Sequence, residues 1–254
     1  MSNKRRTRSH AARFGAPHRH YARTDSTNNR ARELAVAGAP GGTVVTAAEQ
    51  TAGRGRQGRA WTAPPGKALL YSALLRPLEE RHLMLPLAVP LAVCEAAEAL
   101  RPGLECGVKW PNDVLVDGRK LAGVLIEARP RDGWPVIGVG LNLTIAADEF
   151  PEELRETATS VFPDPPAVPY VDHSGIRNSP AGVLSERLGA WVEAGPDEVL
   201  AAWRQRDALR GREIAWEGGS GVAEGVDERG FLVVRVADGD RVALGAGEVH
   251  LTRS

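Results

Sequence analysis

The chain holds two cysteines, two methionines and 5% aromatic residues in 254 positions, and it carries no net formal charge. Cys94 and Cys106 stand twelve apart in apolar settings. That is too few, at the wrong spacing, for a disulfide framework or a zinc motif, and both read as core thiols. Long hydrophobic runs are missing as well. The longest, Leu83 to Cys94, spans twelve residues and carries Pro86 and Pro90, short of the roughly 20 needed to cross a bilayer. No membrane association is expected. The basic N-terminus lacks the apolar core and small-residue cleavage site of a secretory leader, which points to the cytoplasm. G-x-x-x-x-G-K-[ST], H-R-D with D-F-G, H-E-x-x-H, paired C-x-x-C and G-x-S-x-G are all absent. Walker-type phosphate binding, protein-kinase chemistry, a zinc site and covalent serine or cysteine catalysis therefore have no support.

The zero charge is unevenly spread. Residues 1–23 contain seven Lys or Arg and no acid, leaving 25 basic and 32 acidic residues in the remainder, a net of −7. An acidic body argues against a nucleic-acid-binding surface. With 43% hydrophobic residues the chain can bury one large domain and a small one. Residues 1–23, His18 and His20 included, read as a disordered basic tail rather than a metal site.

Order is expected from TDSTNNRARELA, where Asp25, Ser26 and Thr27 offer N-cap oxygens to a helix ending near Gly38. TVVTAAE and ALLYSALL read as strands, and LPLAVPLAVCEAAEAL as a buried helix with its prolines in or near its first turns. GVKW, VLV, KLAGVLIEAR and PVIGVGLNLT, separated by PND, DGR and RDGW, spell an antiparallel meander. Regular βα alternation is absent, so the expected class is α+β, a mixed, largely antiparallel sheet with helices packed on one side. Residues 24–207 form this domain, with a proline-rich surface loop at 163–180. Short strands from Arg212 onward give a small all-β unit of barrel type over 208–254.

Chemistry concentrates in TAGRGRQGRAW, residues 51–61. Gly53, Gly55 and Gly58 satisfy G-x-G-x-x-G, but Pro64 and Pro65 forbid the helix that a dinucleotide fingerprint requires. Arg54, Arg56 and Arg59 fill the variable positions instead. Glycine freedom plus guanidinium groups describes a mobile loop able to fold over a phosphate, although Arg/Gly loops are also common as plain exposed surface. Lys109 and Asn112 in KWPND read first as turn punctuation, and Lys120 as a hairpin-edge surface lysine. Gly123, and Gly138 with Gly140, clear the faces of two neighbouring strands and suggest a slot.

DSTN, EQTAGRGRQGRAW, KWPND, KLAGVLIE and GVGLN, in this order and spacing, resemble the biotin protein ligases. The resemblance covers most of residues 24–254 and implies a sheet packed on helices, similar to class II aminoacyl-tRNA synthetases, followed by an SH3-like domain. It also implies ATP and biotin as substrates, Mg2+, biotinyl-5′-AMP as intermediate, and a biotin carboxyl carrier protein as acceptor. On that basis Ser26, Thr27, Asn28 and Gln50 would face the ureido ring. Arg54, Gly55 and Arg56 would lie over the valerate chain and phosphate, Trp61 near adenine, and Gly53, Lys109, Asn112, Gly123 and Asn142 around the rest. Lys120 and Arg56 would be catalytic, and Asp113 is the one acid considered for the metal. About two dozen unpatterned residues precede Asp25, so the winged helix-turn-helix of the repressor-type relatives, and with it specific DNA binding, is not expected. The same fold also serves lipoate and octanoate transfer, and a non-catalytic biotin-binding module is the third reading. The residues do not choose between a monomer and a weak homodimer.

Overall fold

The computed structural model describes residues 13–164, 176 and 179–252. Seven strands make one sheet: β1 (His18–Thr24), β2 (Val44–Gln50), β3 (Ala68–Leu74), β4 (Gly107–Lys109), β5 (Asp113–Val116), β6 (Arg119–Arg129) and β7 (Trp134–Asn142). Their order is β1-β2-β3-β7-β6-β5-β4. The meander expected from the sequence is the run β7-β6-β5-β4, closed at the β5–β6 turn by Asp117 and Gly118, both with positive φ. Only β1 on β2 is parallel. The basic arm is therefore shorter than its composition suggested, because His18 to Thr24 pair with β2 from Val44 to Gln50. Polar strands at a sheet edge carry little apolar periodicity, which is why this one was not legible. His18 Nε2 and His20 Nδ1 lie 2.8 and 2.9 Å from the Thr46 hydroxyl, so the two rings share a hydrogen-bond partner on the neighbouring strand.

Alternation along the strands sends side chains to two cores. Val44, Tyr71 and Ala73 face α2 (Leu85–Leu100) and α3 (Pro180–Trp191), whereas Val45 and Leu74 face α1 (Thr27–Val36) with Ala31 and Ala35. Helices thus cover both faces, not one. Pro86 sits in the first turn of α2 and Pro90 within it. The N–H that Pro90 lacks would have bonded the carbonyl of Pro86, at the helix start, where distortion costs least. Glu80–Leu100 is long and apolar enough to pass as a membrane span, yet 67% of its apolar 18-residue window is buried inside the fold. Ser179 caps α3 through the Gly182 N–H at 3.3 Å. Most of the proline-rich stretch 163–180 lies outside the described residues.

After α4 (Pro196–Gln205) the chain enters a five-stranded antiparallel sheet built from β8 (Glu213–Trp216), β9 (Gly219–Val226), β10 (Leu232–Arg235), β11 (Arg241–Leu244) and β12 (Val249–Leu251). Its order is β11-β10-β9-β8-β12, with no β11–β12 pairing among the described residues, so a closed barrel does not form. The two units are not independent. The linker adds to β4 through Val108 N–H to Arg206 O (2.7 Å) and Ala208 N–H to Val108 O (3.0 Å). Arg206 is clamped by both oxygens of Glu98, at 2.5 and 2.9 Å. Ile214, Ala223, Leu232, Val234 and Val249 join the same apolar cluster as α2. The second unit is packed in place by shared core, and its β11–β12 turn reaches back toward the meander.

Candidate active site

A cavity of about 110 Å3 opens between the start of α1, the glycine-bearing faces of β6 and β7, and the arginine loop. Its polar end is built from the α1 N-terminus. Ser26 has the extended backbone of an N-cap but makes no capping hydrogen bond with its side chain, and it lines the cavity. Gln50, from the end of β2, supplies the cap: its Oε1 accepts from Thr27 N (2.7 Å) and Thr27 Oγ1 (2.9 Å). Asn28 is held on both sides, its Nδ2 donating to Glu127 Oε2 at 2.7 Å and its Oδ1 lying 2.5 Å from the Ser72 hydroxyl. Beside them, hydrogen bonds from Asn29, the Ser26 N–H and Thr24, with Arg30 alongside, hold the Asp25 carboxyl far below the ordinary carboxylate range. The result is a row of fixed donors and acceptors at one end of a half-apolar slot.

The cleared strand faces have a different occupant from the one expected. A methyl group on Gly138 would overlap the Asn28 amide, and one on Gly140 would overlap the Trp61 indole. Gly123 and Gly140 are a register pair, and Trp61 lies over both. The glycines seat protein side chains that in turn shape the slot. Trp61 Nε1 is buried and has no hydrogen-bond acceptor among the described residues.

The arginine loop is a small hairpin. Gly55 N–H bonds Arg59 O (2.7 Å) and Trp61 N–H bonds Gly53 O (3.0 Å), with Gln57 and Gly58 in left-handed conformation at its tip. Arg54 pairs with Glu127 at 3.0 Å and Arg59 with Glu248, while Arg56 has no carboxylate partner among the described residues. Lys120 projects from β6, its Nζ 2.7 Å from Asp113 Oδ1 and over the Trp61 ring. Each cavity cation but Arg56 is therefore already compensated, which leaves Arg56 as the one best placed to take an incoming anion. Lys109 lines a smaller adjoining pocket. Burial draws its ammonium pKa down, against the opposing pull of Asp113.

Ser26, Thr27, Asn28, Gln50, Arg54, Gly55, Arg56, Trp61, Asn112, Lys120 and Gly123 thus meet around one cavity. Three expected residues stand apart. Asn142 is buried at the end of β7 with its amide on Thr159 O (2.9 Å), Gly53 is packed against Trp61 O, and Lys109 faces the neighbouring pocket. Asn112 also has a structural task, since its Nδ2 bonds Val124 O at 2.8 Å and pins the Pro-Asn turn to β6. Asp113 is committed to Lys120, and no group of three or more His, Cys, Asp or Glu placed to hold a metal ion occurs among the described residues. Ser72, Glu127 and Glu248 were not anticipated. Ser72 had a faint signal, a lone polar residue in ALLYSALL.

Residues 21–142 match the Biotin/lipoate A/B protein ligase family and residues 211–251 the Biotin protein ligase C terminal domain. The biotin--[acetyl-CoA-carboxylase] ligase of Mycobacterium tuberculosis is 38% identical over 91% of this chain and 87% of its own length. This chain belongs to the biotin protein ligase family. A ligase of the same name from Paracoccus denitrificans is 34% identical over 90% of this chain and 98% of its own length. Among solved structures, the Aquifex aeolicus biotin protein ligase in complex with biotin and ATP superposes with a TM-score of 0.75. It is 30% identical, and the match covers 93% of this ligase and 99% of that one.

Proposed function

We propose that this ligase activates biotin with ATP as biotinyl-5′-AMP and transfers the biotinyl group to one lysine of a biotin carboxyl carrier protein. The observation that carries the reading is the polarity of this cavity. A row of fixed hydrogen-bonding groups at Ser26, Thr27, Asn28 and Gln50 stands at one end, and the cations Arg56 and Lys120 at the other. A ureido ring offers donors and acceptors to the first, and a carboxylate meeting a phosphate suits the second. In the first step a biotin carboxylate oxygen attacks the α-phosphorus of ATP, the bond to the α–β bridging oxygen breaks, and pyrophosphate leaves. Two anions converge, so Lys120 and Arg56 favour the transition state over the separated reactants. In the second step the carrier amine attacks the acyl carbon, gives up a proton, and AMP departs. Magnesium comes with the nucleotide, shielding its phosphates.

A groove of about 620 Å3 continues from the cavity, sharing Arg56, Asn112 and Leu125 with it and ending at Arg229 and Phe231 of the second domain. The exposed Leu83 stands on its wall, and this is the side from which we bring the carrier. The need for ATP supports the cytoplasm as the site of the reaction.

The test uses a recombinant carrier domain with Mg-ATP and biotin, lipoate or octanoate in parallel. Mass gain on a single lysine with biotin alone supports the reading; modification by lipoate or octanoate instead assigns the chain to the acyl-transfer branch of the fold. A methyl group at Gly138 displaces Asn28, so Gly138→Ala is expected to raise the KM for biotin about 10-fold, with a smaller change in kcat. Unchanged biotin kinetics at saturating ATP would show that Asn28 does not bind biotin.

A further inference from the structure

The second domain enters the catalytic cavity through a single turn. Between β11 and β12, Gly247 O lies 3.5 Å from Arg56 Nη2, and the Glu248 carboxylate pairs with the Arg59 guanidinium. Glu248 lines both the main cavity and the smaller pocket that holds Lys109 and His250. The hairpin is thus anchored from two sides. Arg54 ties it to the catalytic domain through Glu127 and Asn29, and Arg59 ties it to the second domain.

The two partners differ in freedom. The Glu248 side chain is 21% exposed against 59% for Arg59, and Glu248 precedes Val249, which is buried in the core and paired with Trp216 of β8. The carboxylate is therefore the fixed post and the arginine the moving part. A carboxylate at the rim of an anion-binding cavity weakens anion binding by repulsion unless a cation neutralises it. Its presence there calls for a use, and the pair with Arg59 supplies one.

We propose that Glu248 is a positioning residue that, through Arg59, keeps the arginine hairpin down over the cavity and so slows escape of the reactive adenylate before the carrier amine arrives. This rests on the reading of the chain as an adenylate-forming ligase. A half-exposed ion pair adds little to global stability. Here it acts on a short local segment, whose opening needs only a few contacts to break.

The experiment uses the full chain and the variants Glu248→Gln, Arg59→Gln and the double variant, with Glu224→Gln as control, since Glu224 pairs with Arg235 and Arg241 on the far strands of the same sheet. Adenylate is formed with biotin, Mg-ATP and pyrophosphatase, and its release from the enzyme is followed together with tryptic cleavage after Arg54 and Arg56. Glu248→Gln should release adenylate about 3- to 10-fold faster, the scale of one charge-assisted contact. It should also raise the KM for ATP more than it lowers kcat, and speed cleavage of the hairpin. The double variant should release no faster than Arg59→Gln alone, and Glu224→Gln should match the parent. Parental release by Glu248→Gln, or additive effects in the double variant, would overturn the proposal. A parent that forms no biotin-dependent adenylate overturns the functional reading instead. In that case the trypsin arm still decides the latch: faster cleavage of Glu248→Gln upholds it, and equal cleavage removes it.

Discussion

Lys120→Ala is expected to lower biotinyl-adenylate formation by about 10²-fold or more while leaving a folded protein, the scale for removing one preorganised charge donor from a reacting centre. The fold should survive because the side chain is 38% exposed and the strand is fixed by its backbone, Lys120 N–H to Thr157 O (2.7 Å) and Thr159 N–H to Lys120 O (2.9 Å). The ammonium is held by Asp113 at one corner of the cavity and lies over Trp61, so it is placed before any substrate binds. That placement is what lets a cation act on the transition state without reorganising. Lys120→Arg keeps the charge but not the compact geometry, and should recover only part of the rate. Near-parental exchange by a Lys120→Ala enzyme with unchanged thermal unfolding would remove Lys120 from the chemistry.

Arg56→Gly should have the second large effect, and of a different kind. Arg54 and Arg59 are engaged with Glu127 and Glu248, so Arg56 is the loop guanidinium with a charge to give a phosphate. Without it, adenylate should form slowly and escape, labelling exposed lysines on bystander proteins, with release raised by about 10-fold or more for the loss of a hydrogen-bonded ion contact. The assay is biotin incorporation into an unrelated protein alongside the carrier domain. An Arg56→Gly enzyme that retains adenylate like the parent would assign the phosphate contact elsewhere in the loop.

The parts legible in the sequence were those set by local periodicity and turn chemistry. The meander from Gly107 to Asn142, the buried helix from Leu85 and the strands after Arg212 all follow from alternation punctuated by Gly, Pro, Asn and Asp. Less legible were features that depend on what lies across space. Gly138 and Gly140 correctly marked a cleared face, but spacing along one strand does not reveal that Asn28 and Trp61 fill it. Edge strand β1 escaped notice because His18, Arg19, His20 and Arg23 give it a polar composition, and only its partner β2 makes it a strand. Glu127 and Glu248 compensate arginines 73 and 189 positions away. Separations of that size carry no local signal. The same holds for the shared core between the domains, where Ile214 and Leu232 belong with α2 although the sequence reads as two units.

The measurement that bears most directly on the account is biotin-dependent exchange of label between pyrophosphate and ATP by the full chain with Mg2+, in the absence of any carrier. Adenylate formation is reversible on the enzyme, so a cavity that joins a ureido-binding row to Arg56 and Lys120 should exchange label with biotin present and fall to background without it. Exchange that is independent of biotin, or absent with biotin while lipoate or octanoate supports it, would contradict the assignment of the cavity.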